Sequence, residues 1–157
     1  MTGAQASQLF GLTDLMATIA AAAKVPLPAG AAPDSLNQLP VLVDPSKAPA
    51  IRNEMLLQGT GGYALRQGDW VYLPKQGSCG RTVQIPFIEP WGQPYANMGV
   101  TNSDITPQGR IKPDAPSDQL YNLRIDPSQT TNVTREQPER AKAMRTRLEE
   151  LMKSGPL

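Results

Sequence analysis

The chain has 157 residues, with Lys plus Arg at 15 and Asp plus Glu at 14 for a formal charge of +1, so no net field draws it to nucleic acid or to an anionic membrane. Its single cysteine excludes an internal disulfide, and the lack of any histidine removes the commonest general acid and base, the usual serine and cysteine triads and most zinc sites. The length suits one domain, but 16 prolines, 13 glycines and 5% aromatics predict a thin core with long loops.

Gln8 to Leu12 is a short apolar stretch that reads as a strand. Thr13 follows as a helix N-cap and Asp14 as a first-turn acid, opening a helix predicted to run to about Lys24. Leu15, Met16, Ile19, Ala20 and Ala23 recur as one stripe of a 3.6-residue period, a stripe that needs covering. No positive charge precedes this segment, Asp14 starts it and Lys24 closes it, so it reads as a helix and not as a signal peptide. It is also far shorter than the roughly 20 apolar residues of a bilayer span. Pro26, Pro28 and Pro33 end it, Leu39 to Leu42 form a helical turn with Pro40 near its start, and Pro45 and Pro49 break the chain again. A domain boundary is expected between Asp44 and Ala50, dividing residues 1–48 from 49–157.

Glu54 to Leu57 reads as a strand and Gly59, Gly61 and Gly62 as a bulge or turn. A hairpin follows from Tyr63 to Leu73, turning at Gln67 and Gly68. A two-residue loop there sets Arg66 opposite Asp69 and Leu65 opposite Trp70, so that Tyr63, Leu65, Trp70 and Tyr72 share the core face. Seven prolines at 74, 86, 90, 94, 107, 113 and 116, with no sustained period, mark a long loop over 74–117 with a short strand at Thr82 to Ile85. Gln119 to Leu123 reads as a further strand and Asp126-Pro127 as a turn. The last helix is the plainest element: Pro138 suits its first turn, Ala141, Met144, Leu148 and Leu151 form its stripe, Glu149 precedes Lys153 by four, and Gly155-Pro156 stop it. That stripe is predicted to lie on the hairpin sheet.

Three of these blocks resemble a known family. Leu12 to Ala20, LTDLMATIA, is similar to the segment with which arylsulfatase-type sulfatases of the alkaline-phosphatase-like superfamily finish their catalytic domain. Gly62 to Trp70, GYALRQGDW, resembles the hairpin that opens their smaller C-terminal subdomain, and Gln119 to Val133, QLYNLRIDPSQTTNV, the strand and turn before its last helix. Val71 departs from the lysine common after the tryptophan, and Gln129 from the acid of the DP-x-E-T-x-N pattern. The resemblance implies an α+β fold: a small antiparallel sheet of about four strands with the C-terminal helix across it, preceded by a helix left over from the sulfatase α/β domain. It also implies a sulfuric ester hydrolase family whose activity needs calcium, a formylglycine made in a C-x-P-x-R motif, and histidines and lysines around the sulfate. Members are often periplasmic, secreted or lysosomal.

The chemistry expected of that family is missing from this chain. After Cys79 the positions that need Pro and Arg hold Arg81 and Val83, so the nucleophile motif is absent and no catalytic or metal-binding residue is assigned. Cys79, flanked by Gly80 and Arg81, reads as an incidental loop cysteine rather than an activated thiol, and Asp114, Asp118 and Asp126 as solvated or turn-forming acids. The long loop holds Phe87, Trp91 and Tyr95 with Arg81, Arg110 and Lys112. Two readings stand there: aromatics that anchor the loop to the sheet, or a substrate rim of Arg81, Trp91 and Tyr95 in which rings stack on a sugar and cations meet sulfate. Asn132-Val133-Thr134 is a glycosylation sequon.

The expected function is therefore the non-catalytic C-terminal part of an arylsulfatase, inactive alone, without a cofactor of its own, completing the substrate rim and bracing the catalytic domain. The alternatives are a stand-alone module for sulfated carbohydrate and one half of a split sulfatase. Expected partners are the catalytic domain or a second copy through the N-terminal helix.

Overall fold

A computed structural model describes residues 5–59, 62–76, 102–107 and 110–154. They fall into two compact units, one made of Met1–Met55 with Lys153–Leu157 and one of Leu56–Met152. The strand expected at Thr82 to Ile85 lies outside the described residues.

In the first unit Leu12–Asp14 form a 3-10 turn that leads directly into helix α1, Leu15–Ala23. The stretch predicted as a strand over Gln8 to Leu12 is irregular instead. Its polar groups bond outside any ladder: the Gln8 side-chain amide donates to the carbonyls of Pro45 (3.0 Å) and Ala48 (3.3 Å), and the Gly11 N–H donates to the Asp14 carboxylate at 2.9 Å. Asp14, not Thr13, occupies the N-cap of α1, and its carboxylate turns back to Gly11 rather than forward to the helix. Lys24 ends α1 in the left-handed region at φ 57°, where the Val25 N–H closes on Ala20 O at 2.9 Å. Helix α2, Leu39–Val43, has Pro40 in its first turn as expected.

The sheet consists of β1 Glu54–Gly59, β2 Gly62–Gln67, β3 Trp70–Leu73 and β4 Gln119–Asn122, in that spatial order. Both pairings with β3 are antiparallel. Helix α3, Pro138–Ser154, packs across it through Ala141, Met144, Leu148 and Leu151. These meet Leu65, Tyr72 and Leu120, with Leu56, Tyr63, Trp70 and Val133 around the margin. Full burial of such side chains stabilises by about 1.5–3 kcal/mol each, so this cluster is the main hydrophobic source of stability in the second unit.

The hairpin register differs from the expected one by a single turn position. Leu65 faces Tyr72, Arg66 faces Val71 and Gln67 faces Trp70, so the two-residue loop is Gly68-Asp69. Only Gly68 there has positive φ, at 55°, and a Gly-x loop needs it only at the first position, whereas Gln67-Gly68 would ask a glutamine to adopt it. Moving the turn by one residue changes each pairing by two, so Tyr63, Leu65, Trp70 and Tyr72 keep their common face. The Arg66–Asp69 pair is lost, and Asp69 lies 3.6 Å from Arg124 instead.

The opposite face of the sheet is covered as well. Val71 and Tyr121 are buried there, and the Tyr121 hydroxyl accepts from Asn102 (2.9 Å) while donating to Gln119 (2.6 Å). Ile105, also buried, forms an isolated bridge with Ile111. This part of the proline-rich loop is therefore ordered against polar partners rather than through a hydrophobic stripe, which is why periodicity did not reveal it.

Candidate functional site

The proposed rim residues Arg81, Trp91 and Tyr95, together with Cys79 and Phe87, lie outside the described residues. Of the cations grouped with them, Lys112 is occupied: its ammonium donates to Ser103 O at 2.8 Å and its N–H to Asp104 O at 2.8 Å. Arg110 is exposed, its backbone paired with Thr106. Among the described residues no group of three or more His, Cys, Asp or Glu is placed to hold a metal.

Three buried polar clusters carry the specific chemistry of the described chain. The first centres on Asp14, whose side chain is 0% exposed. Arg52 donates to it through Nε at 3.0 Å and Nη2 at 2.5 Å, and also reaches Asp34 O at 2.7 Å. The backbone N–H groups of Gly11 and Leu36 and the Gln38 amide complete the set. Burial alone pushes the Asp14 pKa up, but the Arg52 hydrogen bond, the two backbone donors and the Arg52 charge outweigh it and hold the carboxyl at about 2. Thr18 donates to Asp14 O at 2.6 Å and accepts from the Gln38 N–H at 3.0 Å. Gln38 points its NH2 at two acceptors, Leu9 O and Asp14 Oδ2, which leaves its buried carbonyl oxygen without a protein donor.

In the second cluster Arg145, on α3, donates through Nε to the Tyr72 hydroxyl at 2.7 Å and through Nη2 to Asp118. Tyr72 in turn donates to Asp118 Oδ2 at 3.0 Å. Desolvation and the nearby Asp118 charge push the Tyr72 phenol up to about 12 despite the opposing Arg145, and the Arg145 guanidinium is raised by the same contacts. Asp118 is thus neither solvated nor turn-forming, as the sequence reading expected, but 5% exposed and ion-paired. Asp126 does form its turn, accepting from Thr130 and Thr131; burial raises its pKa, but these donors lower it further, leaving it below the usual carboxylate value.

Asn132 organises the third. Its carbonyl oxygen accepts from Leu120 N (3.0 Å), Thr134 N (3.1 Å) and Thr134 Oγ1 (2.6 Å), and its NH2 donates to Asp104 Oδ2 (2.6 Å) and Asp118 O (2.9 Å). With 8% exposure and both amide hydrogens engaged, the sequon asparagine is a structural node that caps the outer edge of β4. None of the three clusters presents an unpaired nucleophile or base to a cavity, and all three read as scaffold. No local pattern announces the first two, because the contacts of Asp14 with Arg52, and of Tyr72, Asp118 and Arg145 with one another, join residues 27 to 73 positions apart.

No family model matches the chain. Over 132 residues it is 33% identical to an N-acetylgalactosamine-6-O-sulfatase of Bacteroides thetaiotaomicron, a match covering 83% of this chain and 21% of that protein. A structure solved in work on the metabolism of multiple glycosaminoglycans by Bacteroides thetaiotaomicron overlays 87% of this chain and 24% of its own, at 28% identity and a TM-score of 0.55. Another, of a protein in complex with D-glucosamine-2-N,6-O-disulfate, overlays 89% and 23% at 17% identity and a TM-score of 0.49. The chain therefore spans about a fifth of the length of the curated relative and about a quarter of the solved ones.

Proposed function

We propose that this chain, related to the sulfatases in sequence and fold, is the C-terminal, non-catalytic part of an arylsulfatase-type sulfuric ester hydrolase, completing the rim of the substrate site and bracing the catalytic domain. The observation that carries this reading is a well-cored sheet and helix on a chain that has no histidine and whose one cysteine lacks the C-x-P-x-R context. Calcium and formylglycine belong, in this reading, to the part of the enzyme that holds the nucleophile. Rim contacts are assigned to Arg81, Trp91 and Tyr95 on the sequence alone.

The names of the relatives support a sulfated glycosaminoglycan sugar as the substrate class of the whole enzyme. The test uses purified chain with nitrocatechol sulfate and with 6-O-sulfated N-acetylgalactosamine, each with and without calcium. No sulfate release is expected. Calcium-dependent turnover by this chain would overturn the assignment.

A further inference from the structure

The end of the sheet at the β2–β3 turn gathers three arginines and no lysine. Arg66 and Trp70 flank the Gly68-Asp69 loop, and Arg124 follows β4, whose last residue Asn122 pairs with Trp70. The Leu123 N–H donates to Asp69 O at 2.7 Å, which joins the hairpin loop to the turn after β4. Arg140, in the first turn of α3, reaches the same place from the helix side: its guanidinium carbon lies 4.5 Å from the centre of the Trp70 ring. Two of the three guanidinia are held by contacts that use few of their five N–H donors. Arg66 gives only Nε, to Gly68 O at 2.5 Å, and Arg140 rests on a π face, which takes up its charge without a hydrogen bond. Among the described residues neither forms an ion pair. Arg124 is 76% exposed, and its acid, Asp69, is itself half-exposed and 3.6 Å away, a pairing of little strength in water. Asp126, in the turn with Arg124, is taken up by Thr130 and Thr131, and Glu139 is set about 100° round α3 from Arg140.

The arginine fork matches the oxygens of a sulfate two at a time, whereas lysine offers a point charge. We propose that Arg66, Arg124 and Arg140 form a binding site for the sulfate groups of a sulfated glycosaminoglycan chain, with Trp70 as the platform that holds Arg140 in place. None of these residues belongs to the rim assigned to Arg81, Trp91 and Tyr95, so the site grips a stretch of polymer other than the sugar whose ester is cut. Two linked contacts on one polymer favour long chains over short ones without any change at the cut sugar. The net charge of +1 leaves no general field to hold a polyanion, so the attraction is local to this end of the sheet. The choice of polymer rests on the sulfatase reading; the clustering of the three arginines does not.

The test titrates a chondroitin 6-sulfate oligosaccharide into the full chain carrying Arg81→Ala and Trp91→Phe, which removes the rim contacts and leaves Trp70 as the one tryptophan. Calorimetric binding with a change in Trp70 emission is expected. Arg66→Gln, Arg124→Gln and Arg140→Gln together should weaken it at least about tenfold. Lys24→Gln, Lys47→Gln and Lys142→Gln remove the same charge from exposed positions, two in the first unit and one about 200° round α3 from Arg140, and should leave affinity within about twofold. Arg66→Lys, Arg124→Lys and Arg140→Lys together keep the charge but not the fork, and should bind more weakly than the parent. Undiminished binding by that lysine variant, or equal losses in the two glutamine variants, would reduce the effect to diffuse charge and overturn the site. So would the absence of binding, equal binding of hyaluronan, whose anions are carboxylates alone, or equal binding of single-stranded DNA of matched charge. Each of these results leaves the sulfatase reading standing, since that reading falls on a separate observation, calcium-dependent sulfate release by the chain.

Discussion

Arg52 lies 38 positions from Asp14 and meets it with two nitrogens of one guanidinium, inside a unit that buries little hydrocarbon. Removing one partner of such a buried pair strands the other charge, a loss on the order of 3–5 kcal/mol. Arg52→Ala and Asp14→Asn are therefore each expected to destabilise the first unit by several kcal/mol. The double change to Arg52→Met with Asp14→Leu should recover part of that loss, since neither charge is then left buried. Denaturant unfolding of the three variants checks the ordering.

Acid sensitivity follows from the same carboxylate. Its folded pKa of about 2 lies below the ordinary aspartate value of 3.8, so the folded state binds the proton more weakly than the unfolded state. The resulting stability, about 2 kcal/mol, is present above pH 4 and is lost as the pH falls from about 4 towards 2. Amide exchange between pH 5 and pH 2.5 should show protection at Gly11 and Leu36, whose N–H groups bond Asp14, falling earlier than at Leu148 in the α3 core. Equal loss at both places would contradict a local origin.

Tyr72 gives the opposite dependence at the alkaline end. Its phenol is raised to about 12 from 10.0, so the folded state holds this proton more tightly, and the associated stability is fully present below pH 10 and fades as the pH climbs towards 12. Ultraviolet titration of phenolate absorbance should find one of the four tyrosines ionising late, and Tyr72→Phe should abolish that late step. The substitution also leaves Asp118 and Arg145 without the hydroxyl between them, at a cost of about 1–2 kcal/mol.

How much of this was legible beforehand depends on the range of the interaction. Helix α3 could be read to the residue, because Ala141, Met144, Leu148 and Leu151 are spaced by a local period and all four are buried. The hairpin face was legible but its register was not, since parity survives a one-position shift of the turn and only the φ of Gly68 decides between the alternatives. Asp118 looked like one loop acid among three; its burial depends on Tyr72, 46 positions away, and Arg145, 27 away, and no local pattern encodes such distances. The strand expected over Gln8 to Leu12 failed for a related reason, because the Asp14 carboxylate captures the Gly11 N–H. Apolar periodicity did find the α1 stripe, yet periodicity says only that a stripe exists, and Thr18 with Asp14 decides which way it faces.

Asn132 offers the sharpest mutational test of the second unit, because its side-chain amide joins β4, the turn at Thr134 and the Asp104 carboxylate. Asn132→Ala should cost about 2–3 kcal/mol, as it orphans the Leu120 N–H and a hydrogen bond to a carboxylate. Asn132→Asp is expected to be worse than its near-identical shape suggests, since it sets a second carboxylate against Asp104 Oδ2, now 2.6 Å from the amide nitrogen. Adding Asp104→Asn to that variant restores a donor opposite the new acid and should rescue most of the loss, which chemical denaturation of the single and double variants measures. Attachment of a glycan to the same nitrogen would displace at least one of its two hydrogen bonds, so chains that carry one after eukaryotic secretory expression should unfold more readily than unmodified chains from the same preparation.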